Sequence, residues 1–176
     1  MVRFILFSGI DGSGKSTHAR KLVHELKLRG KSAKYLWMRG RGRAFISFPM
    51  LVLCRLLKIT KIHTLRDGKK ASEYLFYKYK PLRLLWPWFQ LIDSLIYTII
   101  LIHFSLIHSY DFLIIDRNVV DTLVDVIADV YSPYGINILH RLFLSLLPKN
   151  SCIIVLDIDE ETALTRKGDI LSKNCL

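Results

Sequence analysis

A chain of 176 residues, 51% hydrophobic and 23% charged with nine Gly and five Pro, carries enough apolar material for one packed domain and is neither disordered, collagenous nor low-complexity. Its 26 Lys+Arg against 15 Asp+Glu give a formal charge of +11, which favours anionic partners. A mean hydropathy of +0.28 also requires that a membrane span be weighed.

In chain order, Val2 to Phe7 is a short apolar, β-branched and aromatic run that predicts a buried strand, followed by a Gly-rich turn. Ser16 to Arg29 places Ala19, Leu22, Val23, Leu26 and Leu28 at helical spacing, with Gly30 where a C-terminal cap belongs. Ala33 to Met38 reads as a second strand and Arg39 to Arg43 as a loop. Between Ala44 and Leu82 the pattern is weak. Leu51-Val52-Leu53 and Leu56-Leu57 point to helix, while Pro49, Gly68 and Pro81 punctuate. A long helix over Leu84 to Ile107, ending near Ser109, leads to a third strand at Phe112 to Ile115. Asp121 to Val130 reads as helix, Ser132 to Gly135 as a turn, and Ile138 to Leu147 as helix stopped by Pro148. Cys152 to Leu156 is a fourth strand, and a further helix begins at Glu160 and runs to Lys167. Continuous apolar strands alternating with helices predict an α/β fold with a parallel sheet covered on both faces.

Leu84 to Ile107 carries one formal charge, Asp93, and is long enough to cross a bilayer. Against a span stand Pro87, Gln90, Asp93, Ser94, Thr98, His103 and Ser105, since an ionised group in hydrocarbon costs roughly 2.5–3.5 kcal/mol on insertion scales. The expectation is a helix buried in the core. Cys54, Cys152 and Cys175 form no C-x-x-C pair, which speaks against a disulfide or zinc framework and for a reducing compartment. The first residues show no secretory pattern, so the expected location is cytoplasmic.

Gly9-Ile10-Asp11-Gly12-Ser13-Gly14-Lys15-Ser16 matches G-x-x-x-x-G-K-[ST] without a mismatch, between a predicted strand and a predicted helix. Gly12 and Gly14 let the backbone curl so that successive N–H groups point at phosphate oxygens, and the helix that follows aims its positive end at the same place. Lys15 would then sit between the β- and γ-phosphates of ATP, and the Ser16 hydroxyl would ligate Mg²⁺. ATP-binding candidates are therefore Gly9, Asp11, Gly12, Ser13, Gly14, Lys15, Ser16 and Thr17. Asp116 closes the third strand, the place of a carboxylate that backs the metal. Asp157 and Asp159 repeat the pattern one strand later, but Asp159 before Glu160-Glu161 reads as a helix N-cap.

The strand, the loop through Thr17, Asp116-Arg117, and Leu156-Asp157-Ile158-Asp159 with Ala163 and Arg166-Lys167, in this order, resemble thymidylate kinase and its archaeal thymidylate-kinase-like relatives. The resemblance implies a three-layer nucleoside-monophosphate-kinase fold with a five-stranded parallel sheet and a mobile lid, transferring the ATP γ-phosphoryl to a nucleotide, dTMP by default. It places Asp11 on the acceptor's sugar, Arg117 and Arg39 on the acceptor phosphate, and Arg166 in the lid. Lys15, Arg117 and Arg166 are then the catalytic cations, and Ser16 and Asp116 the metal pair. Three departures accompany it. Asn118 follows Arg117 where the family has Tyr. Gln90 and Ser94 stand where it has a stacking Phe and a base-reading Arg. The sequence stops at Leu176 inside the lid, before the family's last strand and helix, so the expected layout is one domain over 1–176 with an incomplete lid at about 166–176 and an exposed apolar edge at Cys152 to Leu156.

Lys27 to Arg83 holds sixteen Lys+Arg and two acidic residues, a local +14 that leaves −3 for the rest. This basic, mostly helical acceptor-side region, about 39–83, includes Arg39, Arg41 and Arg43. The functional expectation is an ATP- and Mg²⁺-dependent nucleoside monophosphate kinase with nucleotide substrates and a homodimer as an open option. The alternatives are a nucleotide-binding protein with impaired catalysis, or a basic P-loop protein associated with nucleic acid or a membrane surface.

Overall fold

The computed structural model describes residues 2–38, 45–64, 70–130, 136–159 and 161–163. Its main sheet is built from β1 (Arg3–Gly9), β2 (Ala33–Trp37), β5 (Phe112–Asp116) and β6 (Ser151–Leu156) in the order β2-β5-β1-β6, every pair parallel. Between β2 and β5 lie two strands of a separate antiparallel hairpin, β3 (Thr60–Thr64) and β4 (Lys70–Tyr74). The helices are α1 (Lys15–Leu28), α2 (Ser47–Leu56), α3 (Lys80–His108), α4 (Val119–Val130) and α5 (Ile136–Ser145).

A strand covered on both faces has no polar side to show, which is why β5 reads as an unbroken apolar run. Leu113, Ile114, Ile115 and Asp116 are each at most 1% exposed. On one face, Phe7 and Ile114 pack with Ala19 and Val23 of α1. On the other, Phe4, Leu6, Leu113 and Ile115 pack with Leu101 of α3. A further core joins α2, α3 and α4 through Met50, Leu51, Cys54, Trp86 and Val130, with Phe76 stacked on Trp86 at 4.2 Å. Burial pushes the Cys54 thiol pKa up.

The four strands expected from sequence are all present, in a mixed α/β fold with a parallel sheet flanked by helices. Among the described residues the main sheet has four strands, with β6 at its edge and Ile153 and Val155 exposed. The hairpin β3–β4 escaped the sequence reading because Lys61, His63, Lys70, Ser72 and Glu73 give its strands no apolar alternation. Pro49 does not stop α2 but lies in its first turn, where a missing N–H costs nothing.

The long helix is buried on one face only. Trp86, Gln90, Asp93, Ser94, Thr98, Leu101 and Ser105 point inward, whereas Leu85, Trp88, Ile92, Leu95, Ile99 and Ile102 are between 39% and 51% exposed. Residues Lys80–Ser105 are long and apolar enough to cross a membrane by length and composition, with 39% of the apolar window buried inside the protein.

Candidate functional site

Parallel strands all end at one edge, so side chains that follow β1, β2 and β5 meet there. The turn leaving β1 is the glycine loop, and its geometry admits no other residue at two positions. Gly9 (φ 140°) and Gly12 (φ 90°) have backbone oxygens, those of Leu156 and Ala163, where a Cβ would stand, at 2.3 and 2.6 Å. Gly14, also at positive φ (85°), is the N-cap of α1. Lys15 opens the helix and is buried; its ammonium donates to the carbonyls of Gly9 and Ile10, both at 2.6 Å, and reaches Ser13 Oγ at 3.5 Å. A lysine gathered under a ring of inward-curled backbone is the cation that a polyphosphate would draw out. Thr17 lies exposed in the first turn of α1.

Asp116, at the C-terminal end of β5, is 1% exposed. Its Oδ2 accepts from the Ser16 hydroxyl in a short bond and from the Tyr35 phenol at 2.8 Å. Tyr35 was not singled out from sequence, because a tyrosine inside an apolar strand looks like packing. Burial, then the Asp116 hydrogen bond and charge, push its phenol pKa above the ordinary value, opposed by Ser16 and by Arg20. The Ser16–Asp116 pairing fits Mg²⁺: a hydroxyl ligand backed by a carboxylate, with the remaining positions left to phosphate oxygens and water. No group of three or more His, Cys, Asp or Glu able to hold a metal occurs among the described residues, and a site of this type does not need one.

Arg117 adopts positive φ (63°), uncommon for a residue with a side chain, and its guanidinium forms an ion pair with the Asp11 carboxylate of the loop. Two residues assigned to the acceptor thus converge from β1 and β5. Asn118 turns into the fold and caps α4, accepting from Val120 N at 2.8 Å and donating to Phe7 O at 3.4 Å. Asp121 completes this cap by accepting from Asn118 N at 2.9 Å through Oδ2, while its Oδ1 takes Ser8 Oγ at 3.0 Å and Gly9 N at 3.3 Å. The sequence reading placed Asp121 only at the start of a helix; the spacing Asn118-x-x-Asp121 was the available signal.

A small cleft opens beside Asn118, lined by Met38, Gln90, Asp93, Ser94, Tyr97, Asn118, Val119 and Thr122. Gln90 and Ser94, which the resemblance aligns with a stacking Phe and a base-reading Arg, both line it, together with one aromatic ring, Tyr97. Gln90 Nε2 donates to Ser47 Oγ at 3.2 Å. Asp93 accepts from the backbone N–H groups of Phe45, Ile46 and Ser47 at 3.1, 2.8 and 3.1 Å. Asp157 is exposed, and Asp159 caps the next turn by accepting from Thr162 N at 2.7 Å. Arg39, Arg41, Arg43 and Arg166 lie outside the described residues.

No family model and no curated protein matches the chain. Among solved structures it is similar to the thymidylate kinase from Ehrlichia chaffeensis, with a TM-score of 0.52 and 19% identity over 94% of this chain and 81% of that one. The polypeptide therefore has a thymidylate-kinase-like fold.

Proposed function

We propose that the protein is an ATP- and Mg²⁺-dependent nucleoside monophosphate kinase, cytoplasmic and working as one catalytic unit. The observation that carries this reading is the hydrogen bond from Ser16 at the start of α1 to Asp116 at the end of β5. It joins the hydroxyl of a phosphate loop to a buried carboxylate at the strand edge where Asp11 and Arg117 also meet.

Phosphoryl transfer asks a protein for position and charge neutralisation more than for covalent chemistry. Lys15 and the loop amides hold the β- and γ-phosphates of ATP, while Ser16, backed by Asp116, holds Mg²⁺. When bound, the metal neutralises charge on the bridging and terminal phosphate oxygens. Arg117, fixed by Asp11, directs its remaining N–H groups to the acceptor phosphate, with Arg39 as its partner and Arg166 as the lid cation. The base enters the cleft beside Gln90, Ser94 and Tyr97, with dTMP as the default acceptor.

Purified protein incubated with ATP, Mg²⁺ and a panel of nucleoside monophosphates is expected to release ADP with at least one acceptor, and Lys15→Ala to lower that rate by on the order of 10²-fold or more. ATP binding with no turnover on any acceptor would leave a nucleotide-binding protein. That second reading has its own support, since the amide of Gln90 and the side chain of Asn118 are engaged inside the fold.

A further inference from the structure

We propose that Tyr35 is a positioning residue for the metal–nucleotide site, acting through Asp116; this rests on the function proposed above. In β2, Ala33, Tyr35 and Trp37 share one face of the sheet, and the ladder sets Tyr35 beside Ile114 and Trp37 beside Asp116. The Tyr35 ring packs with the cluster of Phe7, Ala19, Val23 and Ile114 beneath α1, and the Arg20 guanidinium lies over it at 5.3 Å. Lying on that face, the phenol reaches Asp116 Oδ2 at 2.8 Å.

Two donors thus converge on one buried oxygen from different parts of the fold. Ser16 belongs to the first turn of α1, next to a loop that must fit itself around phosphates. Tyr35 belongs to a strand held to β5 along its length. A buried carboxylate needs partners to stay charged, and one whose only anchor moved with the loop would be misplaced whenever the loop adjusted. Tyr35 fixes Asp116 to the sheet and leaves the Ser16 hydroxyl able to serve the metal. Partners of this outer kind orient metal-binding groups, and their loss typically lowers metal affinity by about 10- to 100-fold.

The test is Tyr35→Phe, which removes one hydroxyl and keeps the ring, titrated with ADP by calorimetry in Mg²⁺ and in EDTA. Wild type should gain affinity with Mg²⁺. In Tyr35→Phe that gain should shrink by about tenfold, while affinity in EDTA stays within about twofold. Ser16→Ala, which removes the hydroxyl ligand itself, should show the same metal-specific signature. An unchanged Mg²⁺ gain in Tyr35→Phe overturns the assignment, and so does an equal loss with and without metal, which would mark a packing role. Should wild type fail to bind ADP under either condition, the kinase reading falls and takes this inference with it. A wild type that responds to Mg²⁺ beside an unaffected variant removes the role of Tyr35 alone.

Discussion

The Asp93 carboxylate, midway along α3, accepts both the backbone N–H and the hydroxyl of Ser47, so the one acidic residue of that helix sits on the N-terminus of α2. With the N–H groups of Phe45 and Ile46 also bound, Asp93 satisfies donors that a helix start leaves without intrahelical partners. Hydrogen bonds to a buried charge contribute about 1.5–3 kcal/mol each. Asp93→Asn should therefore lower the urea unfolding free energy by about 2 kcal/mol. A change below about 0.5 kcal/mol, the scale of an ordinary surface substitution, would show that the cap is not needed.

Gly12 and Gly30 both have positive φ, 90° and 71°, but only Gly12 has a backbone oxygen where a Cβ would go; Gly30 has nothing within 4 Å. Gly30→Ala should cost about 1–2 kcal/mol from backbone conformation alone and leave nucleotide affinity unchanged. Gly12→Ala should cost more and abolish ADP binding, because the loop must shift away from Ala163. Equal effects of the two substitutions, read by thermal unfolding and calorimetry, would show that the close approach is immaterial.

Asp121 holds Ser8, Gly9 and Asn118 at once. Asp121→Ala strands three donors near the root of the phosphate loop, so unfolding should become easier by about 3 kcal/mol. Nucleotide affinity should fall with it, since Gly9 is where the loop leaves β1. A destabilised variant with full affinity for ADP would separate the cap of α4 from the site.

Because the Tyr35 phenol pKa is raised in the folded protein above its ordinary 10.0, the folded state holds that proton more tightly than the unfolded state does. The resulting stabilisation is complete below pH 10.0 and is lost as pH rises through the folded value. Compared with Tyr35→Phe, wild type should thus lose stability more steeply in alkaline solution. Parallel stability curves for the two proteins would contradict this.

The order of the main elements was legible in the sequence because β1, β5 and the inner face of α1 are set by burial, and burial writes itself as apolar runs and helical spacing. The glycine loop was equally plain, since its residue types follow from local backbone geometry. Tyr35 and Asp121 were not, because each is a single side chain whose partner lies far along the chain: Asp116 for one, Ser8 for the other. Asp93 was visible as an isolated charge, and only the fold shows that it is spent on α2 rather than on solvent or ligand. The exposed stripe from Leu85 to Ile102 was hidden because the inward face of α3 carries Gln90, Asp93, Ser94, Thr98 and Ser105, so polarity alone would turn that side, and not the apolar one, to solvent.

The carbonyl of Leu156 fills the space beside Gly9, so the last residue of β6 is part of the floor on which the phosphate loop rests. Edge strands open more readily than central ones. The rigidity of the loop therefore depends on an edge strand of the sheet. Under the proposed function, partial opening of β6 would weaken nucleotide binding while the rest of the domain remained folded, and amide exchange at Val155 and Leu156 should slow when nucleotide is added.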